Sequence, residues 1–361
     1  MQTIVNSFYS SSPVAWETKS TSSSNNYYTN QAYPTSNIEP LSLNYYDNYT
    51  FDTTSRGLKL SSSTSVLGQP VDYNVKGLAT GFKVKVLDQA TAKWITTIIH
   101  YDSKGREIYR GSYDEFLSAK TTVKSQLDFA GDVLKTENYH QKGSAAAVTT
   151  IDEYTYDHMK RLTEHTQRIN GSAAEKIAEN SYDDLGQLTG KGVGNSASSG
   201  SRLQDIAYSY NVRGWLKTIN DIGSTNKLFN FKLSYNDPSS GTPLYNGNIS
   251  RADWRTDNTD SNLKNYRYYY DDLNRITSAY ANSSTYNLYG VSYDKNGNIK
   301  TLKRGSSGSM DNLTYNYKNS GTSNRLAYVN DASGNSSGFN DISSSNDYDY
   351  DTNGNLTSDA N

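Results

Sequence analysis

Short apolar–polar alternations, broken by turn-forming letters, run along most of this chain. Phe82-Lys83-Val84-Lys85-Val86-Leu87 alternates at period two, as a half-buried strand does. Trp94-Ile95-Thr96-Thr97-Ile98-Ile99 is a second strand-like run, and the segment 41–100 gains its strand character from such stretches. Residues 1 to about 70 are different: they are rich in Ser, Asn, Thr and Tyr, with stretches such as Ser22-Ser23-Ser24-Asn25-Asn26. We read 1–40 as largely irregular. No apolar run approaches the ~18–20 residues needed to span a bilayer as a helix.

From residue 101 the alternation is organised by a repeat, Tyr-Asp-x-x-Gly-x-Leu. Clear copies begin at Tyr101, Tyr182, Tyr210, Tyr293 and Tyr350. Degenerate copies sit at Asp128-Phe129-Ala130-Gly131, at Tyr156 and at Tyr270, and weaker ones begin at Tyr235 and Tyr317. Successive anchors lie 23 to 28 residues apart, except for two longer gaps of 35 and 33 residues. The first long gap holds an insert near 238–254.

Elementary stereochemistry explains the letters. Tyr-x-Tyr before the turn (Tyr154/Tyr156, Tyr208/Tyr210, Tyr268/Tyr270, Tyr315/Tyr317, Tyr348/Tyr350) puts two rings on one strand face, because side chains alternate. The Asp or Asn that follows accepts a backbone hydrogen bond from two residues on and starts a turn. Gly, or Asn as in Asn274, supplies the positive φ that closes the hairpin. The aliphatic residue two places later opens the return strand. One hairpin is marginal in water, so the units are expected to pair edge to edge. The pattern therefore predicts an all-β fold: tandem β-hairpins forming a long antiparallel sheet over 73–361, after an irregular segment 1–72.

Composition sharpens this picture. Tyrosine supplies 32 residues, against 8 Phe and 4 Trp. Only 34% of residues are apolar, and mean hydropathy is −0.80. Those two values alone describe a disordered chain, but disordered chains are poor in aromatics. Tyrosine packs its ring while its hydroxyl reaches water or a partner, so a thin sheet with modest burial is expected instead of a thick aliphatic core. The net charge of −2 gives no basic footprint for nucleic acid. Without cysteine there is no disulfide framework, thiolate metal site or thiol nucleophile. The amino terminus has no apolar core of a secretory signal.

The ten periodic units resemble the Rhs/YD-repeat family, over a span from about Tyr73 to Asn361. Three segments are similar to Rhs proteins of Bacteroidetes-type bacteria: Val75–Gly81, Arg213-Gly214-Trp215-Leu216 and Leu244–Ile249. The resemblance implies a sheet that spirals into part of a hollow shell, and a secreted or cell-surface polymorphic toxin whose shell encloses a carboxy-terminal effector. That effector, a toxin domain of a longer chain, is the partner implied. Family members carry a self-cleavage site, often Asp-Pro-x-Gly, after the repeats. Here Asp237-Pro238 lies mid-array and is followed by Ser239-Ser240, so neither self-cleavage nor toxicity carries over. The chain reads as part of a longer polypeptide or a truncated gene. If Asn361 is a true terminus, the last hairpin leaves an unpaired edge strand.

No candidate site stands out from the repeat, and the expected function is structural and non-catalytic, with no cofactor and no metal. Asp349-x-Asp351-x-Asn353-Gly354, with Leu356 at position eight, opens like a calcium loop, but position twelve is Ala360 and a hairpin turn explains the same letters. His100, His140, His158 and His165 have no metal-ligand spacing. Gly190-Lys191-Gly192-Val193-Gly194 lacks P-loop spacing and reads as a flexible outer loop. Sequons such as Asn48-Tyr49-Thr50 and Asn312-Leu313-Thr314 carry little weight in an Asn/Ser-rich chain. Trp94, Trp215 and Trp254 with the Tyr rows pack as ladders; the alternative is a carbohydrate-binding or adhesion module at a cell surface, with glycans as partners. A hydrolase with convergent carboxylates is the third reading.

Overall fold

From Ala79 to Asp331 each strand pairs with the strand next in sequence, which is what tandem hairpins require, whereas Ser42–Tyr46 pairs with Ala79–Val86 past a short hairpin of Ser65–Val66 and Gln69–Pro70. The computed structural model describes residues 2–11, 14, 16–22, 26–51, 56–87, 89, 91–258, 260–341 and 346–360. It is all-β and antiparallel, apart from a helix at Gln2–Ser11 and two single turns of 3₁₀ helix. The helix departs from the irregular reading of 1–40. Residues 23–25 of the Ser22–Asn26 stretch lie outside the described residues. The chain divides into two units, residues 1–181 with 192–204, and residues 182–191 with 205–361.

In the first unit, the strand Ser42–Tyr46 pairs with Ala79–Val86, which pairs with Lys93–Tyr101. Glu107–Asp114, Ala119–Leu127, Val133–Lys142, Val148–Tyr156, Leu162–Ile169 and Glu175–Tyr182 follow as an antiparallel meander. The N-terminal segment supplies much of this unit's core: Tyr27, Tyr45, Tyr49, Phe51 and Leu58 are buried against Val75 and Ile98. Tyr45 lies flat on Phe51, ring centres 4.0 Å apart. Gly81 makes room for that stack, since a Cβ there would come within 2.4 Å of the Phe51 ring. The run Lys93–Tyr101 is buried on both faces near its end, from Thr96 to His100, because the N-terminal segment covers it.

In the second unit the meander runs Gln204–Tyr210, Leu216–Ile219, Phe229–Ser234, Arg251–Thr256, Lys264–Tyr270, Ile276–Ala281, Leu288–Tyr293, Ile299–Arg304, Asp311–Tyr317 and Leu326–Asp331. A last hairpin joins Tyr348–Tyr350 to Leu356–Asp359. Its final strand is exposed along its whole length; Asn361, on which the unpaired-edge expectation turns, lies outside the described residues. Buried apolar residues are sparse here, among them Tyr235, Ala252, Ala279, Val291, Leu313 and Val329. This is the thin sheet that a tyrosine-rich, aliphatic-poor composition predicts.

Gly190 to Val193 form the end of the strand Leu188–Val193, so the expected outer loop is corrected to a strand, with Gly194 at φ +76° just beyond it. Gly192 is needed for packing: a Cβ there would meet Arg202 Cγ at 2.6 Å.

Candidate functional site

The repeated feature of the molecule is the seam between successive hairpins, and it is built from the repeat letters. Eight turns, led by Asp102, Asp128, Asp157, Asp183, Asn211, Asp271, Asp294 and Asp351, share one hydrogen-bond pattern. In each, the leading N–H donates to the carbonyl four residues on, and its carbonyl accepts from the N–H three residues on. The residue three places on has positive φ: Gly105, Gly131, Lys160, Gly186, Gly214, Asn274, Gly297 and Gly354. The Asp or Asn side chain gathers further N–H groups; Asp294 Oδ1 accepts from Asn296 at 2.8 Å and from Asn298 at 2.9 Å. At Asp128 the aspartate itself leads the turn, so Leu127 stands in the tyrosine place and the degenerate unit begins one residue earlier than its letters indicate.

The residue four places after the leader closes the turn from the side. Arg106, Arg161 and Arg275 donate Nε to the second carboxylate oxygen of Asp102, Asp157 and Asp271 at 2.6–2.7 Å. Asn298 and Asn355 do the same with their amides at 2.8 Å. The Arg275 side chain holds the Asp271 carboxyl below the usual carboxylate range, and the Asn298 and Asn355 amides do so for Asp294 and Asp351. Several of these side chains also reach the next turn: Arg106 Nη1 donates to the Asp128 carbonyl at 2.8 Å, and Asn298 Nδ2 to Asn324 Oδ1 at 2.8 Å.

The repeat tyrosine, where present, does more than stack. A register shift accompanies it, so that Tyr210 faces Leu216, Tyr270 faces Ile276 and Tyr293 faces Ile299. In seven places a phenol donates to a backbone carbonyl one hairpin back, at or just before the residue that opens the return strand there. Tyr156 reaches Val133 at 2.9 Å, Tyr210 reaches Leu188 at 3.0 Å, and Tyr235 reaches Leu216 at 3.1 Å. Tyr270 reaches Ile249, Tyr293 reaches Ile276 and Tyr317 reaches Ile299, at 2.7–2.9 Å. Tyr101 makes the same bond to Ala79 at 2.6 Å. Burial pushes these phenols up from their ordinary pKa, so they stay protonated and donate. The sequence shows the tyrosines; it does not show this bond, which joins residues 17 to 23 positions apart.

The other singled-out residues are absorbed by packing. His100 is fully buried, stacks on Tyr49 at 4.2 Å and accepts the Leu60 N–H at 3.1 Å; burial lowers its pKa to about 4. His140 bonds Thr121, His158 sits exposed in a turn, and His165 bonds Asp152 at 2.8 Å while stacking on Tyr154. Asp152 also takes the Gln167 amide. Asp349 is held by Lys318 and Asn346, and both Asp351 oxygens serve the last turn, so the hairpin accounts for the calcium-like letters. Asp237, before Pro238, is ion-paired to Lys217 at 2.7 Å. Among the described residues no group of three or more His, Asp or Glu is placed to hold a metal, and no helix is long and apolar enough to cross a membrane.

Aromatic side chains line two clefts of the second unit. One lies between Trp215, Tyr235 and Tyr245, with the Arg213 guanidinium over the Trp215 ring. The other, about 410 Å³, is lined by Trp254, Tyr266 and Tyr286 together with Asp260, Asn262 and Asn282. Trp254 and Tyr266 are stacked 5.7 Å apart and Tyr286 is 64% exposed. Trp94 is half-buried in the first unit.

No described protein family matches the chain, and no curated protein matches it. Among solved structures, the crystal structure of TcdB2-TccC3-TEV aligns at 14% identity and TM-score 0.44, over 73% of this chain. That of TcdB2-TccC3 without its hypervariable C-terminal region aligns at 15% identity and TM-score 0.42, over 80%. The chain spans 14% and 17% of the length of those two chains.

Proposed function

We propose that this chain is a structural, non-catalytic wall: a run of Rhs/YD-type hairpins that forms part of a shell around an effector carried by a longer polypeptide, secreted or displayed at a cell surface. One observation carries the reading, the seam in which seven tyrosines each bond a carbonyl one hairpin back. A seam that repeats adds stability with each unit and has no natural stopping length. Its polar groups satisfy each other, so the turn carboxylates are spent on structure. The thin sheet, with half-buried side chains on both faces, suits a wall that meets polar surroundings on either side. The test is protease protection in the natural gene product, whatever its flanking segments. A protease-sensitive passenger in the effector position should survive until the wall is unfolded; digestion at the rate of the free passenger overturns the shell reading.

The second reading, a carbohydrate-binding surface, is favoured by one place: the Trp254–Tyr266–Tyr286 cleft, where rings lie beside amide and carboxylate groups suited to sugar hydroxyls. A glycan array should then give signals that Trp254→Ala removes. An array without signal ends that reading.

A further inference from the structure

The face of the second unit that points away from the Tyr-x-Tyr rings carries a concentration of unanswered positive charge. Three adjacent strands define it by their register. Asn230 faces Arg255, Lys232 faces Asp253, and Ser234 faces Arg251. Across the next pair, Arg251 faces Arg267 and Asp253 faces Asn265. Residues directly opposite in an antiparallel pair share a face, so this patch holds four cations and a single carboxylate. That carboxylate is already taken: Asp253 is buried and is gripped by Arg251 Nε at 2.8 Å and by its Nη2 at 2.5 Å. Among the described residues no carboxylate lies within 4 Å of Lys232, Arg255 or Arg267.

A second, independent sign comes from hydrogen bonding. Arg255 Nε and Arg267 Nε are shielded from solvent and have no partner, and neither have Asn230 Oδ1 and Ser234 Oγ, whose residues are fully buried. Leaving buried polar atoms unpaired is costly, and here four fall on one patch of three strands; the two guanidinium Nε–H groups and the Ser234 hydroxyl are donors that a carboxylate can satisfy. The loop before the strand Arg251–Thr256 answers only one end of it, where Ser240 bonds Arg251.

We propose that this face receives an acidic stretch of polypeptide, whose carboxylates pair with Arg255, Arg267 and Lys232. Guanidinium and carboxylate match in a two-point fork. The first unit shows the same pairing made within the chain, where glutamates answer the cations on the corresponding face. Nucleic acid fits less well. A chain of net charge −2 offers a long polyanion no attraction at a distance, whereas a short acidic segment needs only local complementarity. The inference does not rest on the shell reading, since an acidic segment from any polypeptide satisfies it.

Fluorescence anisotropy of a fluorescein-labelled octaglutamate, titrated with the full chain at about 50 mM salt, provides the test. Binding should weaken steeply as salt rises. The double variant Arg255→Gln/Arg267→Gln should lose about tenfold or more in affinity. The exposed pair Lys295→Gln/Lys300→Gln removes the same charge outside the patch and should change affinity less than about twofold. Circular dichroism checks the fold of each variant. If the arginine pair does not fold, Lys232→Gln alone should weaken binding about threefold. No binding at millimolar protein, binding indifferent to Arg255, Arg267 and Lys232, or tighter binding of a single-stranded oligonucleotide than of the peptide would each overturn the proposal.

Discussion

The two units carry the same hairpin and spend charge on it differently. In the first, the face turned away from the Tyr-x-Tyr rings is a cross-strand ladder of ion pairs. Lys124 meets Glu137 at 2.5 Å, Lys135 and Arg168 share Glu153 at 2.9 and 2.7 Å, and Lys176 meets Glu164 at 2.6 Å. In the second, Arg251 and Asp253 form a buried pair while Lys232, Arg255 and Arg267 are left unanswered. The backbone scaffold is indifferent to which solution is used, because the seam holds each strand through main-chain carbonyls. Side chains on that face are therefore free to be neutralised locally or to be kept for a partner.

The sharpest way to break this comparison is to remove one cation from each kind of pair. Arg251→Met strands Asp253 in a buried site, and stranding a buried charge costs about 3–5 kcal/mol. Lys124→Gln loosens a half-exposed pair worth about 0.2–1 kcal/mol. Urea unfolding should show a several-fold larger loss for the arginine variant. Equal losses would mean that the two faces are energetically alike and that the contrast is one of composition only.

Acid separates the units next. His100 belongs to the first unit, is fully buried and titrates near 4, while an unfolded histidine titrates near 6.5. Its folded pKa is depressed, so the unfolded chain binds the proton first and stability falls as pH drops from about 6.5 towards 4. The loss reaches about 3 kcal/mol over that window. Turn aspartates add to it only lower down, as pH falls through their depressed folded values. Hydrogen exchange at pH 7 and pH 5 should therefore show protection lost around Ile98 and His100, with the strands Lys264–Tyr270 and Ile276–Ala281 holding. His100→Gln should flatten the pH dependence of the first unit. Parallel loss in both units would assign the effect to the turns.

A smaller effect tests what the units have in common. Tyr156→Phe and Tyr270→Phe each keep the ring and delete one phenol-to-carbonyl bond, at Val133 and Ile249. Each should cost about 1 kcal/mol, the net worth of a hydrogen bond plus part of an orphaned acceptor. Similar values in both units are expected, since the seam does not depend on the charge pattern. A cost near zero in either would show that stacking, not the phenol, holds that seam.

How much of this was legible beforehand depended on how local each feature is. The Asp102-type turn is written in five consecutive residues, and its geometry follows from them. The Tyr-x-Tyr face follows from strand alternation. The phenol bond is not written anywhere, because it links one repeat to the carbonyl of another across loops of variable length. The ion ladder is hidden for the same reason: Lys135 and Glu153 become neighbours only once the register of Val133–Lys142 with Val148–Tyr156 is known. The core from Tyr27 to Val75 has no period, so its Tyr and Phe residues read as part of a polar segment. Gly190 to Val193 were misread because glycine is usually a turn letter, whereas here Gly192 yields space to Arg202.

The smallest expected effect sharpens the comparison most finely. Glu153 is shared, so Lys135→Gln leaves it paired with Arg168, whereas Arg168→Gln leaves it paired with Lys135. Each single change should cost less than about 0.5 kcal/mol, because these side chains are a quarter to two-fifths exposed and the remaining cation compensates. The double change should cost more than the two singles together, since only then does Glu153 lose its last partner. In 1 M NaCl, where screening acts within about 3 Å, the excess should vanish. Strict additivity in low salt would mean that Glu153 is not shared in solution, and the ladder of the first unit would then be a row of separate pairs.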